Sequence, residues 1–224
     1  MNTRTRSLTG ILLLGGALIY VIGEAITAAA WRTPAYSYAR NWISDLGSTT
    51  AGTFQGRLID SPLHGVMNAG FIIQGVMFAA AVLLLTGKRV DTLSRGIRIA
   101  ALVLGLLAGV GYLLLGFFHG SANAAADGTL AWHFTGAALA IIGANTVAVI
   151  LGIHWWQHPT TRRLGHASVP LGIIGLAATL VLLFTMNSGA PAGLIERLAV
   201  YPIVLFQTRV ALHYLTRTTT RAHV

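Results

Sequence analysis

The sequence predicts an all-α membrane protein, a polytopic helical bundle of about six transmembrane helices with one short interfacial helix. Two observations carry this. Of 224 residues, 54% are hydrophobic and only 9% are charged, whereas a soluble domain carries about 25% charged residues. No arrangement of such a chain covers an apolar core with a polar skin. The apolar residues also fall into six runs, each close to the roughly 20 residues that carry a helix across the hydrocarbon.

Taken in order, the runs are 8–30, 63–86, 97–118, 130–156, 169–186 and 194–215. The longest connection, 31–62, is too short to fold alone, so residues 1–224 read as a single integral membrane domain. The first run has a second reading. The start MNTRTR and the small residues of AITAAAW also fit a cleaved signal peptide. Glu24 near the end of the run and the five spans that follow favour a retained helix.

The interfacial helix is expected within the long connection. Tyr38, Trp42 and Leu46 recur at helical spacing, with Asn41, Ser44, Asp45 and Ser48 on the opposite face. Such a segment lies in the interface, apolar side down. It reads either as a simple anchor or as a lid that presents Ser44 and Asp45 to the bundle.

Arginine asymmetry sets the orientation. Arg4, Arg6, Lys88, Arg89, Arg95, Arg98, Arg162, Arg163, Arg217 and Arg221 all fall on one side. The other side holds Arg32, Arg40, Arg57 and Arg197, spread over more residues. The positive-inside rule then places both termini in the cytoplasm of a multi-pass protein of the cell membrane. Trp155 and Trp156 suit the inner aromatic belt; Trp31, Trp42 and Trp132 suit the outer one.

Several function classes are excluded. There is no cysteine, hence no disulfide, thiolate nucleophile or thiolate metal site. The net charge of +9 does not indicate nucleic acid, because the basic residues sit in short loops between apolar runs. There is no P-loop, no GxSxG elbow, no HExxH pair and no dinucleotide fingerprint in context. The implied partner is membrane lipid; oligomeric state is not readable.

The polar residues concentrate on the outer side: Glu24, Asp45, Asp60, Asp127 and Glu196 with His64, His119 and His133. The remaining histidines, His154, His158, His166, His213 and His223, read as solvated or interfacial on the cytoplasmic side. His64 and Asn68 share a helix face. Gly105, Ala108, Tyr112, Gly116 and His119 line one small-residue stripe, and His133, Gly136, Ala140 and Ala144 another. Such stripes let backbones approach, which turns His119 and His133 toward protein. Glu24 stands about 10 Å along its helix from Trp31. A lipid-exposed charge costs roughly 2.5–3.5 kcal/mol at the helix centre, so Glu24 must find a partner or a proton.

Three readings of the cluster stay open. It is a hydrogen-bonded plug that fixes helix packing, a site of proton transfer or ligand binding, or a zinc site of His64, His119, His133 and Asp45. Asp45, His64, His119 and His133 are the candidate catalytic residues. Ser44, Asn68, Glu24, Glu196 and Tyr112 are the candidate ligand-binding residues. On this reading an outward-facing pocket binds or modifies a lipid or other amphiphile, with metal-dependent hydrolysis as one form. The competing reading is a non-catalytic transporter or assembly partner. Transport requires a polar path inward, for which Gln74, Asn145 and Gln207 are the only deep candidates.

Five segments carry a resemblance. NWISDLG at 41–47, SPLHGVMNAGFIIQG at 61–75, GFFHGS at 116–121, AWHFTGA at 131–137 and GLIERLAVYP at 193–202 together resemble a prokaryotic six-helix membrane family catalogued as domain of unknown function nine-nine-eight. The most specific element is Ile43, Ser44, Leu46 and Gly47. The resemblance implies a six-span fold and brings no activity. A more distant similarity is to membrane hydrolases of the alkaline ceramidase type, which combine serine, aspartate and three histidines at zinc. Those have seven spans and a paired-histidine motif in the last helix, where this chain has only His213. That comparison implies a type of chemistry, not shared ancestry.

Overall fold

The computed structural model describes residues 2–87, 93–185 and 190–219, with side chains as far as 216. Lys88, Arg89, Met186, Arg221 and His223, and the side chain of Arg217, lie outside what is described. Among the described residues there are seven α-helices: α1 (Thr3–Ala30), α2 (His64–Leu85), α3 (Arg95–Phe117), α4 (Ala122–Asp127), α5 (Leu130–Trp156), α6 (Arg162–Thr185) and α7 (Ala192–Thr219). All but α4 are long and apolar enough to cross a membrane.

The six long helices close into a ring. α1 packs on α2, α2 on α3, α3 on α5, α5 on α6, α6 on α7, and α7 back on α1; α5 also touches α7 across the middle. The α3–α5 seam illustrates the small-residue stripes. A Cβ built on Gly111 would lie 2.6 Å from the Gly136 carbonyl oxygen, so the backbones meet only because both positions are glycine. Leu13, Phe78, Ala144, Ile203 and Phe206 fill the centre, where Trp155 stacks on Phe206 with ring centroids 6.1 Å apart.

Helix ends differ from the apolar runs because hydropathy registers lipid contact and not hydrogen bonding. α6 begins seven residues before the run at 169, through Arg162, Arg163 and His166. A polar first turn is still helical once its carbonyls find amide partners.

The five tryptophans expected at the interfaces differ in exposure. Trp132 and Trp156 are exposed, but Trp31, Trp42 and Trp155 are buried. His154 is buried too, edge-on to His158 at 4.4 Å between centroids.

The helix expected over Tyr38–Ser48 shrinks to a 3-10 turn, Ser44–Gly47. Of its intended lipid face, Trp42 and Leu46 are turned inward and buried while Tyr38 is exposed; Ile43 is buried as well, and so is Asp45 from the intended polar face. With residues of both faces enclosed, the periodicity that suggested an interfacial anchor marks a segment plugged into the bundle. After it comes an unanticipated hairpin, β1 (Gly52–Phe54) and β2 (Arg57–Ile59), paired antiparallel. Its two-residue turn has φ of 48° at Gln55 and 75° at Gly56, the left-handed pair that matches strand twist. This hairpin delivers Arg57 to Asp45.

Candidate functional site

A chain segment enclosed in a membrane bundle must satisfy its own amides and carbonyls. That requirement organises the loop end of the molecule. Ser61 Oγ donates to Leu46 O at 2.6 Å. Asn68 Nδ2 donates to Gly47 O at 3.0 Å and lies 3.0 Å from His119 Nε2. The backbone N–H of Ile43 donates to Glu196 Oε2. Asp45 takes the backbone N–H of Trp42 at 2.9 Å and a forked ion pair from Arg57, Nε at 2.9 Å and Nη2 at 3.1 Å. The Arg57 guanidinium also lies 4.8 Å from the centre of the Trp42 ring.

A second knot ties the first half of the loop to α1 and α7. Arg197 donates to Glu24 Oε1 from Nε at 3.0 Å and from Nη2 at 2.8 Å. Nη2 also reaches Tyr36 Oη, and Nη1 reaches the carbonyls of Tyr38, Asn41 and Gly193. All three guanidinium nitrogens are engaged. Tyr201 Oη lies 3.1 Å from both Glu24 oxygens. Burial pushes the Tyr36 phenol well up from its ordinary value, against the pull of Arg197. It therefore keeps its proton, donating to Trp42 O at 2.9 Å while accepting from Arg197.

The expected site residues thus divide. Asp45, Ser44, Asn68 and His119 belong to the loop's seat, and Glu24 and Glu196 to the α7 side. Tyr112 belongs to the packed interior, its ring edge-on to Tyr20 at 6.2 Å. Asp60 and Asp127 are exposed. His64 Nδ1–H donates to Ser61 O at 3.0 Å and His133 Nδ1–H to Phe118 O at 2.9 Å; a carbonyl only accepts, which fixes both tautomers. Both Asp45 oxygens are held by Arg57, and His119 Nε2 is held by Asn68. Among the described residues, no three histidine or carboxylate side chains are grouped to hold a metal ion. The deep amides bond locally: Gln74 Nε2 donates to Gln207 Oε1 at 2.8 Å, and Asn145 Nδ2 to Ala199 O at 2.9 Å.

Arg57, Arg197, Tyr36 and Tyr201 were not singled out from sequence. Arg197 had a signal: of Arg32, Arg40, Arg57 and Arg197 it alone stands within a span, so it was the natural partner for Glu24.

His119 offers a pH test. Burial lowers its pKa from 6.5, the nearby His64 adds to the effect, and a bond to the Gly116 backbone opposes it. A folded value below the unfolded one means the unfolded chain binds the extra proton first. This contribution to stability is therefore present above pH 6.5 and lost as pH falls below it toward the folded value. Ring-nitrogen NMR shifts should show His119 more than half neutral at pH 6.5, and Asn68→Asp should raise its titration. A wild-type midpoint at or above the ordinary value would refute the assignment.

Beside the seat is a cavity of about 380 Å³ between α5 and α6. Trp42 roofs it; Phe134, Ala138 and Ile142 form one wall, Thr179 and Leu183 the other. Trp42 Nε1 is buried and has no hydrogen-bond partner among the described residues.

The sequence profile of the family described as Protein of unknown function (DUF998) matches residues 13–213. The chain belongs to that family. The match takes in four of the six long helices whole, most of α1 and α7, and the entire loop seat. Comparison with curated proteins and with solved structures returns no match.

Proposed function

We propose that this DUF998 protein binds an amphiphile, taking an acyl chain into the α5–α6 cavity beneath the strapped loop. The cavity under Trp42 is the observation that carries this. Its volume falls in the range of small-molecule sites, about 300–1,000 Å³, which are mostly apolar with few polar groups. Phe134 to Ile142 spans eight residues, about 12 Å of helix, a length suited to an alkyl chain. Phe134, Ile142 and Leu183 on the rim are exposed, so a chain enters sideways from lipid. Over the Trp42 ring, outside the cavity lining, stands Arg57, whose Nη1 makes no hydrogen bond among the described residues and suits a phosphate oxygen of a headgroup. Saturation of Asp45 and His119 by internal partners supports binding over hydrolysis.

The test is titration of detergent-solubilised protein with phosphatidylcholine brominated on its acyl chains, which quenches tryptophan on contact. A saturable phase is expected, absent in Trp42→Phe and weakened roughly tenfold or more by Ala138→Phe, which overfills the cavity. Quenching that rises without saturation and ignores Ala138→Phe would leave only general lipid contact and sink the reading.

A further inference from the structure

We propose a second lipid site at the opposite, arginine-rich end of the bundle, where a cavity between α6 and α7 holds the phosphate of an anionic membrane lipid. The cavity is about 270 Å³ and is lined by Arg163, Leu164, Arg209, Leu212, His213 and Thr216. The four α7 residues follow the spacing i, i+3, i+4, i+7, so one helix face supplies two cationic or titratable side chains, a hydroxyl and an apolar wall. Arg163 joins them from the first turn of α6.

Among the described residues the charge on this cavity is unmatched. Arg163 and Arg209 make no hydrogen bond or ion pair among the described residues. All five described carboxylates, Glu24, Asp45, Asp60, Asp127 and Glu196, belong to the loop end. Glu196 is thirteen residues from Arg209 on the same helix, about 20 Å, well beyond the screening length of about 8 Å at physiological salt. Two guanidinium groups facing one cavity repel each other unless an anion enters. The first turn of α6 contains no acidic residue either, so its helix dipole adds to the same demand.

The apolar surroundings select a lipid over a soluble anion. Leu212 lines the cavity and is about half exposed, and Leu205, one turn toward the middle of α7 from Arg209, is too. Four residues separate Leu205 from Arg209, so both lie on one face. A phosphate on the two arginines would leave its acyl chains running over these leucines. Basic pockets between spans at this depth are the usual seats of anionic headgroups.

The experiment is native mass spectrometry of the full chain in detergent, titrated separately with phosphatidylglycerol, phosphatidylcholine and inorganic phosphate. Saturable retention of phosphatidylglycerol is expected above the level of phosphatidylcholine, which the α5–α6 cavity also retains, and only the phosphatidylglycerol excess should depend on the two arginines. Arg163→Gln and Arg209→Gln should each weaken it about fivefold, and the pair about 25-fold, at the usual contribution of one basic residue near a membrane surface. Arg162→Gln, an exposed neighbour outside the cavity, should leave binding unchanged. Arg209→Lys keeps the charge and should keep most of the affinity, which separates lost binding from lost folding. Equal weakening by Arg162→Gln would reduce the effect to general attraction and overturn the site. So would a matching loss of phosphatidylcholine retention in Arg163→Gln and Arg209→Gln, or displacement of the lipid by millimolar inorganic phosphate. Quenching at Trp42 by brominated lipid should be indifferent to these variants, so the two sites stand or fall separately.

Discussion

Arg197→Met should be the most damaging single substitution in the protein, lowering stability by about 3–5 kcal/mol. Arg197 is 5% exposed and Glu24 2%. Removing the guanidinium leaves a buried carboxylate whose remaining donor is Tyr201, and takes the donor from the Tyr38, Asn41 and Gly193 carbonyls. The two losses separate in a double-mutant cycle. Glu24→Leu with Arg197→Met restores an apolar α1–α7 contact and should recover the share belonging to the stranded charge, because replacing both partners of a buried pair is far cheaper than replacing one. The loop carbonyls stay without their donor, so recovery should be partial. Melting temperatures in detergent for the four proteins measure it. A double variant no more stable than Arg197→Met alone would refute the ion-pair account; full recovery would refute the loop-strapping account.

The helical frame was legible because lipid imposes a single demand, apolarity over a span's length, that sequence records directly. The 130–156 run and α5 coincide, and α6 departs at its start, where residues 162–168 are too polar to register in hydropathy yet extend the helix by about two turns. The polar end was legible as composition and not as pairing. Asp45, His119, Asn68 and Glu24 were recognised as groups that need partners, but the partners are set by a loop whose path hydropathy does not encode. Arg57 reaches Asp45 only because Gln55 and Gly56 turn a hairpin there, and the carbonyls on Arg197 come from a segment read as an amphipathic helix. Tyr38, Trp42 and Leu46 do repeat at helical spacing. The repeat has little force once Asp45, on the other face, is claimed by Arg57 and Ile43 by Glu196. Backbone hydrogen bonds to buried side chains then outweigh the regular helix, and only the four residues of the 3-10 turn remain.

Gly193→Ala should unseat this loop without unfolding the bundle. A Cβ at Gly193 runs into the carbonyl of Asn41 and lies 2.9 Å from the Tyr38 oxygen. Both obstacles are backbone, so the loop or the start of α7 must move, at an overpacking cost of about 1–3 kcal/mol. That strain falls on the contacts from Arg197 to Tyr38 and Asn41, and on the bond from Leu194 N to Ala39 O. It spares the helix seams. The chain has no cysteine, so Ser44→Cys, on the half-buried edge of the 3-10 turn, is a clean reporter of opening. Adding Gly193→Ala should speed its thiol labelling by roughly tenfold, because local opening costs that much less, and should loosen the roof that Trp42 forms over the α5–α6 cavity. Gly65→Ala is the matched control: its added Cβ meets nothing within 4 Å. Labelling equal to that control would show that the loop is not held at Gly193. A fall in the melting temperature as large as that from Arg197→Met would show that the loop and bundle melt as one unit, so that the roof over the cavity does not open on its own.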